Sequence, residues 1–156
     1  MRIISRPTPP EPEAILARQP IVDQLLNHHP ALRLFNLVLL DAGFDRASLL
    51  ADLKDLAWCS EGEYKATLGL VVDLAARIAG TGLIGPCELV EYELHHHQAP
   101  QMASLRIDIS IESASPGYAI CQCSIHACGD LDEYRVASAQ GTLVKSAHQA
   151  RAQLAQ

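Results

Sequence analysis

A chain of 156 residues is long enough to bury a full core as one domain, and its 49% apolar and 19% charged residues belong to a folded globule rather than a disordered chain. The formal charge of -6, with only 12 scattered Lys and Arg, argues against a nucleic-acid partner, which would need concentrated basic side chains. The five cysteines, Cys59, Cys87, Cys121, Cys123 and Cys128, are odd in number and lie mostly in apolar runs, so they read as reduced, buried thiols of a cytoplasmic chain and not as a disulfide framework.

Residues 1–11 form a proline-rich lead, with Pro7, Pro9 and Pro10 standing where a signal peptide would carry an apolar run. Residues 12–148 are expected to be a single domain with an N-terminal helical segment, followed by a polar tail over 149–156. Ile15, Leu16, Ile21, Val22, Leu25 and Leu26 predict one helix, or two interrupted near Pro20, ending before His29-Pro30. Between Ala31 and Trp58 composition favours helix, whereas the short apolar run Phe35–Leu40, the turn at Asp41–Asp45 and the run from Arg46 to Leu53 favour a hairpin. Cys59–Tyr64 is expected to be a loop.

Lys65–Ala79 is apolar on nearly every side and predicts a helix that other elements must cover, with Gly80-Thr81-Gly82 as its stop. No stretch approaches 18 consecutive apolar residues, which argues against a membrane span. From Pro86 onward the period changes to two. Val90, Tyr92, Leu94 and His96 form one row, Leu105, Ile107, Ile109 and Ile111 the next, and Ala119, Cys121, Cys123, Ile125 and Ala127 a third. Val136–Lys145 closes the series, with Ala137, Ala139 and Gly141 small enough for a neighbour to approach closely.

This order of elements resembles the hotdog fold, an α+β architecture in which a curved antiparallel sheet wraps one long central helix, and within it the acyl-CoA thioesterases of the phenylacetate type. The resemblance rests on His29-Pro30-Ala31 with Leu34-Phe35-Asn36-Leu37, on Leu70-Val71-Val72-Asp73-Leu74-Ala75 and on Val136–Thr142, and it favours a strand for Arg46–Leu53. It implies hydrolysis of an acyl thioester of coenzyme A or a carrier protein, with no metal or cofactor. It also implies a homo-oligomer, dimer or tetramer, with the acyl pocket between subunits.

The resemblance further implies that the thioester oxygen meets free N–H groups at the start of the central helix, and that Asp73 acts as general base or nucleophile. Where the family has His-Gly-Gly, nine residues before the acid, this chain has Tyr64-Lys65-Ala66. Lys65, Ala66 and Gly62 are therefore the candidate substrate contacts. Tyr64 is a candidate hydrogen-bond donor, or simply packs against the helix start, and Glu63, like Glu61, is a substitute carboxylate or a solvated loop acid.

Asp73 itself reads two ways, as the catalytic carboxylate or as the partner of Arg77 four residues later. The loss of His-Gly-Gly keeps open a non-catalytic protein that binds an acyl thioester or serves as a scaffold. A hotdog dehydratase ranks last because no histidine lies in the loop before the central helix. In His95-His96-His97 alternate residues face opposite ways on a strand, which leaves at most two to converge, so the run reads as an outer face rather than a metal site.

Overall fold

The computed structural model describes residues 12–34, 36–52, 61–98, 104–129 and 132–146. The proline-rich lead, the segment with Cys59 and the C-terminal tail lie outside them. Helix α1 runs Pro12–His28, α2 Ala31–Leu34, and the hairpin strands are β1 Asn36–Ala42 and β2 Arg46–Asp52. The long helix α3 spans Glu61–Ile84, followed by β3 Cys87–His96, β4 Ser104–Ser115, β5 Tyr118–Cys128 and β6 Glu133–Lys145.

The strands make one antiparallel sheet in the order β1-β2-β4-β5-β6-β3. The alternation in β4 and β5 decides which face is inward: Leu105, Ile107, Ile109 and Ile111, and Ala119, Cys121, Cys123, Ile125 and Ala127, are all buried. They close on Leu68, Val71, Val72, Leu74, Ala75, Ile78 and Ala79 of α3, which are likewise buried. Burying these side chains is the main source of stability, at roughly 1.5–3 kcal/mol for each large aliphatic group. A bent sheet around one long helix is the hotdog arrangement. Gly62–Ile84 is long and apolar enough by composition to cross a membrane, but here it is the enclosed core helix.

Three expectations are corrected. Gly80-Thr81-Gly82 does not end α3, which continues to Ile84. Gly80 is a packing residue, because a Cβ there would come within 2.7 Å of Leu143 Cδ1 and 2.9 Å of Cys87 Sγ. The stop comes at Gly85, whose φ of +78° suits glycine and whose N–H bonds the Thr81 carbonyl at 3.1 Å. Glu61–Tyr64 are the first turn of α3 rather than a loop. Val90 leaves the inward row, because β3 bulges between Leu89 and Glu91 and turns it outward.

Helix α1 passes through Pro20 without a break, and Pro20 is exposed. Small residues let β3 and α3 close on β6. Gly141 sits where a Cβ would meet the Glu91 carbonyl at 2.9 Å and Leu89 Cδ1 at 2.8 Å.

Candidate functional site

The N-terminal turn of α3 carries backbone N–H groups that no residue of the helix can satisfy, and the helix dipole adds partial positive charge there. Around it, Gly62, Glu63, Lys65 and Ala66 are exposed, and the Cβ side of Gly62 opens onto free space. At 3.6 residues per turn, Gly62 and Ala66 lie within roughly 20° of Asp73 around the helix axis. Tyr64 lies roughly 180° away from it. The structure thus brings Gly62, Ala66 and Asp73 onto one stripe, flanked by Glu63 and Lys65, and turns Tyr64 to the other side.

Tyr64 packs near His96, with ring centroids 6.4 Å apart. Its hydroxyl is buried without a hydrogen-bond partner among the described residues. Burial, with Tyr134 adding to it, pushes the phenol up to about 12.

Asp73 lies nine residues beyond Tyr64, roughly 13 Å along the helix. The Asp73–Arg77 pair that its spacing predicted is present, with Arg77 Nε 2.9 Å from Asp73 Oδ2. The Nε–H is not aligned on that oxygen: the contact is an ion pair, and this buried N–H has no hydrogen-bond acceptor among the described residues.

A third member was missed in the sequence. His29 Nε2 lies 2.7 Å from the same Asp73 Oδ2, while His29 Nδ1 accepts the Ala31 N–H at 3.1 Å. Because Nδ1 is an acceptor, the ring hydrogen resides on Nε2 and is donated to Asp73. Both ring nitrogens are thereby engaged. The sequence signal at this point, His29-Pro30, marks the end of α1, since proline forces the preceding residue out of the helix, but the direction of the ring is set by how α1 docks.

Beyond Arg77 lies a cavity of about 280 Å³ between α1, the second half of α3 and the start of β3, with His29 and Arg77 in its wall. No group of three or more His, Cys, Asp or Glu among the described residues is placed to hold a metal ion. His95 pairs with Glu93 at 3.3 Å, and His97 Nε2 lies 3.0 Å from Ser138 Oγ. Cys121 and Cys123 are packed in the core as free thiols.

The fold defines the class: this is the hotdog architecture. A thioesterase family protein from Silicibacter pomeroyi superposes with a TM-score of 0.68 at 13% identity, covering 81% of this chain and 96% of that one. The PaaI protein from the phenylacetic acid degradation operon of E. coli gives 0.66 at 11% identity, covering 83% and 93%. A hypothetical thioesterase protein from Streptococcus pneumoniae, solved with coenzyme A, gives 0.61 at 10%, covering 71% and 86%. At these identities the likeness is one of fold. No protein-family model matches the sequence, and no curated protein matches it.

Proposed function

We propose that this chain hydrolyses acyl thioesters of coenzyme A or of an acyl carrier protein, in the cytoplasm and as a homo-oligomer. The observation that carries the reading is the stripe on α3 along which Gly62 and Ala66, beside the backbone amides of the helix's first turn, are followed by Asp73. Two neighbouring folds belong to thioesterase proteins, and one of them was solved with coenzyme A, which supports a thioester as the substrate class.

The amides of one α3 and the carboxylate of the same α3 are roughly 13 Å apart, too far to act on one carbonyl. A site that combines them draws the amides from one protomer and Asp73 from its partner, which favours a shared site over a monomeric one. Edge-to-edge pairing of β3, a free edge of the sheet, would bring two α3 helices side by side. In the reaction, Asp73 takes a proton from water, the oxygen adds to the thioester carbonyl, and the helix amides stabilise the oxyanion. The C–S bond then breaks, the thiolate leaves with the proton, and a carboxylic acid and free thiol result. His29 and Arg77 hold the carboxylate in place.

One observation favours a second reading, a non-catalytic thioester-binding or scaffold protein: Asp73 Oδ2 is already taken by His29 and Arg77. A panel of aliphatic and aromatic acyl-CoA and acyl-carrier-protein thioesters, with free thiol as the readout, separates the two. Turnover that Asp73→Asn lowers at least about 100-fold, in a protein that still folds, supports hydrolysis. Thioester binding with no thiol release supports the second reading.

A further inference from the structure

We propose that the cavity beneath α1 is a binding site for a small monocarboxylate with an apolar body, next to the Asp73 cluster and apart from the amides at the start of α3. Its wall reaches the Asp73 cluster, because Arg77 and His29 lie 2.9 and 2.7 Å from Asp73 Oδ2. Arg77, in its wall, is roughly 20 Å along the helix from Tyr64.

The wall has a one-sided chemistry. Its polar side chains are those of Gln24, His28, His29, Arg77, Thr81 and Ser146, and no Asp or Glu is among its described lining residues. In a chain with 18 acids against 12 Lys and Arg, a concave surface that holds Arg77 and has no acid among its described lining residues is a favourable place for an anion. Ile21, Leu25 and Pro86 supply apolar wall for the rest of the ligand.

Arg77 is the group that would fix the acid. It is held between the cavity and Asp73: its Nε is buried 2.9 Å from that carboxylate, while the side chain as a whole is 30% exposed, so the remainder of the guanidinium is what a ligand would meet. A planar ligand carboxylate matches the fork of a guanidinium, which donates in parallel pairs. The site offers one permanent cation, already partly balanced by Asp73. That balance suits a singly charged acid better than a dianionic phosphate, which would need further fixed positive charge. The Thr81 hydroxyl, which donates to the Arg77 carbonyl at 2.6 Å, anchors the Arg77 backbone, so the guanidinium is presented from a fixed turn of α3.

Calorimetric titration of the full chain with butyrate and benzoate, and with butyramide and benzamide as uncharged counterparts, tests this. The expected result is saturable binding of at least one acid, one per chain, with its amide bound at least about tenfold more weakly. Gln24 is exposed on α1, so Gln24→Glu places an acid at the cavity mouth without touching the core. That change should weaken the acid about tenfold, whereas Gln24→Ala should not. The proposal fails if neither acid binds saturably, if acid and amide bind equally, or if Gln24→Glu leaves the acid's affinity unchanged. No thioester enters the experiment, so its failure leaves the hydrolysis reading untouched.

Discussion

His29 and Asp73, 44 residues apart in the chain, meet at 2.7 Å, and the ring hydrogen between them is assigned by the Ala31 amide on the opposite nitrogen. The contact ties the end of α1 to the middle of α3. Replacing the ring with an apolar group of similar size, as in His29→Leu, leaves Asp73 without its neutral donor. The expected loss is about 2 kcal/mol, read from urea unfolding curves, with His29→Gln recovering part of it by restoring an N–H. Equal stability of His29→Leu and the parent would show that the contact contributes nothing.

Asp73 and Arg77 form the second half of the same cluster. A cycle of Asp73→Asn, Arg77→Met and the double variant should give a coupling of about 1 kcal/mol, since both side chains are mostly screened from water. If Asp73 is the base, activity falls far more in Asp73→Asn than in Arg77→Met. Parallel losses of activity and stability in both would reduce Asp73 to an ion-pair residue.

Tyr64 carries a buried hydroxyl with no partner among the described residues. Tyr64→Phe removes a desolvated polar group and should leave stability unchanged or raise it by up to about 1 kcal/mol in thermal unfolding. A loss above that size would mean the hydroxyl has a partner in the folded chain.

Two glycines should respond differently to alanine. At Gly141 a Cβ meets the Glu91 backbone oxygen, which cannot move without breaking the β3–β6 ladder, so Gly141→Ala should cost about 1–3 kcal/mol. At Gly69 the obstacle at 2.5 Å is the hydroxyl end of the Tyr92 side chain, which is exposed and can swing away. Gly69→Ala should therefore be neutral or gain up to about 1 kcal/mol from helix propensity. Chemical denaturation of the two variants side by side checks the contrast.

Burial pushes the Cys87 thiol up to about 12 and Cys121 up to about 11, from 9.0. Above pH 9 the unfolded chain sheds these protons while the folded chain retains them. Stability conferred below that pH is then lost progressively toward pH 11 to 12. Denaturation midpoints should fall on the alkaline side, and less steeply in Cys121→Ala. Site-resolved alkylation of the native protein at neutral pH should modify Cys128 before Cys87, Cys121 or Cys123, because the last three are buried.

Much of this architecture was legible because β4 and β5 alternate without exception through their inward rows, and a period of two admits one reading. The hairpin β1–β2 was not decided by local propensity and needed the order of the later elements. The ends of α3 were misread because glycine in sequence signals a break, whereas Gly80 is demanded by Leu143 and Cys87, contacts set only when the sheet closes. The Asp73–Arg77 pair lies within one helix, so its spacing announced it. The His29 contact depends on how α1 docks, and no local pattern carries that information. The site roles given to Glu63, Tyr64, Lys65 and Ala66 rest on resemblance and stand as proposals for the assays above.

The two strands at the margins of the sheet, β1 and β3, each contain an interruption, between Leu39 and Asp41 and between Leu89 and Glu91. The residues at these interruptions, Leu40 and Val90, are 50% and 59% exposed. A continuous margin carrying such greasy side chains would template unlimited stacking of like molecules. The kinks confine any added ladder to a short run, so that a partner can dock while fibrous growth is checked.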